Sequence, residues 1–258
     1  MNLFLHSKDA ADIRWADTLN NPQLLEGDSL MKFDIVVANP PFSLDKWGAE
    51  HAATDVHGRF RRGVPPKSKG DYGFIQHMIE TAFPKSGRVG VIVPHGVLFR
   101  GGSEGKIRTL LIEENLLDAV VGLPENLFFG TGIPAAILIF DRRRELGGPL
   151  ADRKDVLFID ASRDFVPGKS QNTLGETQID KIITIFRERK AIPTLSASVA
   201  NEQLQQFDYN LNISRYVETL PNEDLIDIVA IQQEIATLDA HLSEVRAKLG
   251  VYLKDLSA

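Results

Sequence analysis

Apolar residues occur along this chain in short β-branched runs separated by longer stretches of helical spacing. The runs at 13–16, 33–38, 88–93, 117–122, 135–140 and 156–159 read as strands. Between and after them, 72–83, 104–114 and 176–190 place apolar residues three and four apart and read as helices. Strands alternating with helices predict the α/β class, a parallel sheet covered by helices. The stretch 43–70 has little periodicity, and a loop of that length inside a compact domain is expected to be functional or mobile. Past Leu225 the pattern changes. Ile228, Ile231, Ile235, Leu238, Leu242, Val245, Leu249, Tyr252 and Leu256 alternate spacings of three and four, a heptad seam with charged residues between. Such a seam predicts association with another chain or another long helix; folding back onto its own domain is the simpler alternative.

Composition narrows the function classes. The chain has 258 residues, 43% hydrophobic and 25% charged, which excludes disorder throughout. With no cysteine, neither a disulfide framework nor a thiolate metal site can form, and a reducing compartment, the cytoplasm, is expected. No run of about eighteen apolar residues exists and the first residues do not follow the signal-peptide order, so no membrane association is expected. A net charge of −6 argues against coating nucleic acid by bulk electrostatics. The densest local cations are Arg59, Arg61, Arg62, Lys67 and Lys69, a candidate contact set whose plainer reading is a solvated loop. Arg142, Arg143 and Arg144 read as a surface turn, and Ser103 as a helix N-cap. His51, His57, His77 and His95 show no metal-ligand spacing, so no metal is assigned, and His95 reads as structural.

The stretch that carries chemistry is VVANPPFS, where a buried-type strand runs into Asn39, Pro40, Pro41 and Phe42. Open α/β sheets bind ligands at the carboxyl ends of their strands, where Asn39 falls. Asn39 precedes a proline and is pushed to extended backbone, while the two prolines have no N–H to donate. The turn therefore offers acceptors, the Asn39 side-chain oxygen and the Pro40 carbonyl, beside the flat face of Phe42. A planar group bearing an NH2, such as adenine, suits that set. Two acceptors placed for a tetrahedral nitrogen would localise the amine lone pair, an interaction stronger in the transition state than in the ground state.

These residues resemble the N6-adenine DNA methyltransferases, and specifically the modification (M) subunit of type I restriction-modification systems. Asn39-Pro40-Pro41-Phe42 matches the family's Asn-Pro-Pro-aromatic motif, and the match extends over Gly27-Asp28-Ser29-Leu30, Asp71-Tyr72-Gly73-Phe74, GRVGVIVPHGVLFRGGSEGKIR, LPENLFFGTGIPAAILIF, Phe158 to Asp160 and YNLNISRY. The resemblance implies an incomplete Rossmann-like S-adenosylmethionine-dependent methyltransferase fold with a C-terminal helical extension. It divides the chain into a partial catalytic domain (1–165), an extension of that domain (166–221) and a heptad-patterned association helix (222–258). It implies that Asn39, Pro40, Pro41 and Phe42 are catalytic and that Phe42 and Phe128 stack on the two faces of a flipped adenine, with Phe129 as the alternative to Phe128. Asp28, Asn39 and Phe74 would contact S-adenosylmethionine. DNA, a specificity (S) subunit, a restriction (R) subunit, and the N-terminal half of the M subunit or a second M subunit are the implied partners. The family's glycine-rich cofactor loop is absent from this sequence, so the expectation is an N-terminally truncated chain that alone binds the cofactor weakly or not at all. It also leaves the strand ending at Asn39 with an unpaired edge. The competing expectation is an inactive remnant or assembly element that docks to a specificity subunit without catalysis.

Overall fold

The computed structural model describes residues 11–129 and 131–217, together with Leu238, Leu242 and Arg246. Contacts divide the chain into two units, Met1–Thr219 and Leu220–Ala258. The heptad seam falls in the second unit, outside the described residues except for Leu238, Leu242 and Arg246, which are helical and exposed.

The first unit begins with a two-strand hairpin, β1 (Leu25–Glu26) and β2 (Ser29–Leu30), and continues into a six-stranded sheet. The sheet contains β3 (Ile35–Ala38), β4 (Arg88–Pro94), β5 (Leu117–Gly122), β6 (Ala135–Asp141), β7 (Asp155–Asp160) and β8 (Ser196–Ala200), in the order β3-β4-β6-β5-β7-β8. β3 pairs in parallel with β4 and β5 with β7, whereas β6 is antiparallel to both its neighbours and β8 is antiparallel to β7. The sheet is thus mixed where the sequence predicts a parallel one. Among its described residues the connection from β5 to β6 carries no helix to cross the sheet, and the chain returns antiparallel as a hairpin.

Six strand runs were legible as apolar stretches, and five of them are strands; 13–16 is not. Ile13 is 69% exposed and Trp15 fully so, and among the described residues no strand pairs with them. β8, with its small polar residues, lacks the apolar signal. Helices α1 (Asp71–Thr81), α2 (Gly102–Glu113) and α3 (Glu176–Glu188) match the predicted spacings, and a short α4 (Asn201–Gln206) follows β8. α2 starts at Gly102 with no side-chain cap, so Ser103 lies inside the helix and does not cap it.

One face of the sheet packs against α1, α2 and the segment Leu204 to Val217, forming the main core with Val36, Val89, Val91, Val93, Val120, Leu138 and Phe158. The other face buries Ala119, Val121, Leu157 and Ile159 under Ile182, Ile185 and Phe186 of α3. Side chains alternate along a strand. On β3, Val36 and Ala38 therefore point to the main core while Ile35 and Val37 emerge on the second face, 58% and 74% exposed. β3 is also the last strand on its side of the sheet among the described residues. It presents both an apolar face and an unpaired edge.

α1 is buried nearly all round, because the loop 43–70 covers the side facing away from the sheet. Trp47 of that loop lies against Gly70 and Gly73, where an added Cβ would stand 3.0 and 3.5 Å from its atoms. The loop is buried in part: Trp47, Arg59, Phe60 and Arg62 lie inside, while Leu44, Val56 and Arg61 face solvent. Gly70 N–H donates to the Leu44 carbonyl at 2.9 Å and Lys46 N–H to Lys67 at 3.0 Å, closing the loop at its base. Its arginines are spent internally. Arg59 pairs with Asp55 at 2.7 Å, and Arg62 bridges Glu80 and Glu114 at 3.0 and 2.7 Å; both are 3% exposed. Arg61 shares Glu114. Each of these three arginines is thus paired with a carboxylate of the fold, Arg61 while its side chain remains 54% exposed. The surface turn read at 142–144 is overturned. Arg144 is fully buried, donating to Asp118 at 2.6 Å and to the carbonyls of Arg153 and Asp155 at 3.1 and 2.6 Å.

Candidate active site at the carboxyl rim of the sheet

β3, β4, β5 and β7 run in one direction, so their carboxyl ends share a rim, and Asn39 to Phe42 leave β3 there. Asn39 and Pro41 are exposed; Pro40 and Phe42 are half-buried. Phe42 packs toward the second core, where it meets Phe128 from the β5–β6 hairpin. The structure brings together these two rings, which the sequence placed on opposite sides of one base. Their centroids are 6.1 Å apart with planes at 79°, an edge-to-face contact. A base held between two parallel rings needs about 7 Å between them, twice the ~3.5 Å contact distance. In this state the rings touch each other, so admitting a base requires one of them to swing away. Phe129, the alternative partner, is 95% exposed and packs against neither ring.

Asp28 sits at the tip of the β1–β2 hairpin, a two-residue turn in which Gly27 has φ +60°. Glycine first and a negative φ next is the pattern of a type II′ turn. The Asp28 side chain is exposed and accepts no hydrogen bond from the described residues. Phe74 on α1 is half-buried against the satellite core of Leu19, Trp47 and Phe60. An exposed carboxylate and an apolar ring fit the purine end of a cofactor such as S-adenosylmethionine, the first as acceptor and the second as wall. Asn39, the third residue that the resemblance assigns to the cofactor, is exposed at the end of β3.

Three residues at the turn were not singled out from the sequence. Ser43, directly after Phe42, adopts φ +48° and donates its N–H to Asp71 Oδ1 at 2.8 Å. Arg100, just past β4, donates to Asp71 Oδ2 at 3.2 Å, to Glu104 Oε1 at 3.0 Å and to Ser43 Oγ at 3.4 Å. Asp71 and Glu104 are each 2% exposed. Burial, together with the nearby Asp71 charge, raises the Glu104 carboxyl above its ordinary range despite Arg100. His95, just after β4, donates from Nε2 to the Ala135 carbonyl at 3.2 Å, a tie between β4 and the return of the hairpin, and burial lowers its pKa below the ordinary imidazole value. Among the described residues no group of three His, Asp or Glu could hold a metal, and no helix is long and apolar enough to cross a membrane.

Comparison with known proteins gives a consistent family. The model of the N-6 DNA Methylase family matches residues 1–224. The chain is 32% identical to the type I restriction enzyme MjaVII methylase subunit of Methanocaldococcus jannaschii, over 99% of this chain and 44% of that protein. It is 29% identical to the MpnII methylase subunit of Mycoplasma pneumoniae, over 99% of this chain and 47% of that one. Among solved structures, the type I restriction-modification methyltransferase subunit from Streptococcus thermophilus superimposes with a TM-score of 0.76 at 37% identity, covering 85% of this chain and 45% of its own. The chain thus spans about half the length of the relatives it matches.

Proposed function

The chain belongs to the N-6 DNA methylase family, and from that premise we propose that it forms the base-handling part of an adenine-N6 DNA methyltransferase, the modification subunit of a type I restriction-modification system. The observation that carries the reading is the meeting at one rim of Asn39 to Phe42 with Phe128. In this reading the Asn39 side-chain oxygen and the Pro40 carbonyl accept the two hydrogens of the adenine amine. The geometry they impose is tetrahedral, which draws the nitrogen lone pair out of the ring and toward the electrophile. Phe42 and Phe128 stack on the base once their mutual contact opens. Asp28 and Phe74 hold the purine end of S-adenosylmethionine, which supplies a methyl group on a sulfonium. Held by its two acceptors, the amine nitrogen would accept the methyl group that the bound cofactor supplies and release a proton to solvent. Pro41 contributes no donor and leaves the acceptors uncontested.

DNA and the specificity and restriction subunits are the partners of this reading, with the remainder of a modification subunit, or a second one, completing the cofactor side in the cytoplasm. A second reading, an assembly element that docks without catalysis, is favoured by Leu238 and Leu242, two seam positions that are helical and 61% and 47% exposed. The two part on one assay. The chain is supplied with a specificity subunit and with the half of a methylase-subunit relative that it does not match, and N6-methyladenine in DNA is measured by mass spectrometry. Product that disappears in Asn39→Ala supports catalysis. Product formed equally by Asn39→Ala refutes the adenine pocket, and complex formation with no product supports the assembly element. Calorimetric titration of the chain alone with S-adenosylmethionine tests the partial cofactor site; tight binding would overturn it.

A further inference from the structure

We propose that Asp71 and Arg100 are positioning residues that clamp the Asn39–Phe42 turn from its far end, through Ser43. The proposal rests on the reading that this turn receives adenine.

Ser43 is a non-glycine residue in the left-handed region, φ +48°, immediately after Phe42. Such a conformation is costly for a residue with a Cβ and persists only where its surroundings hold it. The holding contact is the Asp71 carboxylate, which accepts the Ser43 N–H at 2.8 Å. A charged acceptor on a backbone N–H is the stronger kind of hydrogen bond, and its burial strengthens it further. Asp71 is in turn fixed by Arg100, and Arg100 by Glu104, so that one guanidinium serves two buried carboxylates and the Ser43 hydroxyl. The backbone of Arg100 is held as well: its carbonyl accepts from the buried Arg108 at 2.8 Å and its N–H donates to Gly96 at 2.9 Å. Gly96 leaves the path for this side chain. A Cβ there would stand 2.4 Å from Arg100 Nε. The cluster thus ties the turn after β3 to the starts of α1 and α2, two elements anchored in the main core, at the residue where the backbone of the turn becomes left-handed. None of its members reaches the base. Their effect is on where Phe42 and the acceptors stand.

Two readouts test this on the full chain. Hydrogen exchange at 39–44 without ligand reads the clamp, and affinity for a short single-stranded oligodeoxynucleotide containing adenine, against one with an abasic site, reads its effect on the pocket. Asp71→Ala is expected to speed exchange at 39–44 by about tenfold or more and to weaken the adenine-dependent binding by a similar factor, the loss of one charged hydrogen bond. Asp71→Asn, which keeps an acceptor for Ser43, is expected to recover most of the exchange protection. Gly96→Ala, which displaces Arg100 without touching Asp71, is expected to act in the same direction and less strongly. Adding Ser43→Gly to Asp71→Ala is expected to restore about fivefold in affinity, because glycine accepts positive φ freely; a merely destabilising change would not be rescued this way. Unchanged exchange at 39–44 in Asp71→Ala overturns the clamp. So does faster exchange with unchanged adenine affinity, provided that affinity is lost in Asn39→Ala. If wild type and Asn39→Ala bind adenine alike, the pocket reading has failed, and the exchange result alone decides the clamp.

Discussion

The contact between Phe42 and Phe128 makes a quantitative prediction about how a base is captured. With centroids 6.1 Å apart and planes at 79°, the rings satisfy each other in the free protein. Parting them costs about 0.5–1.5 kcal/mol, and stacking a base on one aromatic face returns about 1–3 kcal/mol. Taking ~1 and ~2 kcal/mol respectively, either Phe42→Ala or Phe128→Ala loses one stacking face but also abolishes the cost of opening, a net loss of about 1 kcal/mol, or about fivefold in affinity. The double variant loses both faces and saves the opening cost only once. It should lose about 3 kcal/mol, ~150-fold, where additivity of the single changes gives about 30-fold. The coupling energy of the cycle is thus the opening cost itself. Fluorescence anisotropy with a labelled adenine oligonucleotide, corrected by an abasic one, measures all four corners. Phe129→Ala, at a ring 95% exposed, serves as the control and should change affinity little. An additive cycle would refute the reasoning, because it would mean that the rings need not part for the base to bind.

The remaining predictions concern stability and association. His77 is half-buried beside Arg59, whose Nη1 lies 3.2 Å from its Nδ1, and desolvation followed by that positive charge lowers its pKa to about 4. The unfolded chain then binds the extra proton below the ordinary value of about 6.5, so stability is full above pH 6.5 and falls by about 3 kcal/mol as pH drops toward 4. Chemical denaturation from pH 7 to 4 should show this slope, and His77→Gln should flatten it; an unchanged slope assigns the loss to other groups. Arg144→Met should cost about 3 kcal/mol, the low end for breaking a buried pair, because Asp118 keeps Arg189 at 2.9 Å. A urea midpoint shift under about 1 kcal/mol would contradict that estimate. Val37→Lys, on the exposed face of β3, should reduce concentration-dependent association in sedimentation velocity, with association as strong as wild type counting against β3 as its source.

Much of the fold was legible because it is written locally. β4, β5, β6 and β7 are apolar runs bounded by turn residues, and α1 to α3 carry their own periodicity. The errors arise where the deciding partner is distant in sequence. Three consecutive arginines at 142–144 look like surface, yet Asp118 and the carbonyls of Arg153 and Asp155 draw Arg144 inside. The arginines near 60 look free until Glu80 and Glu114 come alongside. The turn at Asn39 to Phe42 was readable from residue chemistry alone. Its support was not: Asp71 stood out only as the first residue of the Asp71-Tyr72-Gly73-Phe74 match, and nothing near Ser43 in sequence shows that its backbone turns left-handed.

The antiparallel placement of β6 also bears on rates. The hairpin that carries Phe128 begins at Gly122 and returns at Ala135, with Leu123 N–H bonded to the Ala135 carbonyl at 2.9 Å and long ladders to β4 and β5 on either side. Both stems are paired strands of the core sheet, so the swing of the ring away from Phe42 is confined to the connection 123–134 between them. Motion on that scale belongs to the nanosecond to microsecond range of loops and needs no movement of whole domains. Admission of a base should therefore be in rapid equilibrium, felt in affinity and leaving turnover to be limited by slower steps.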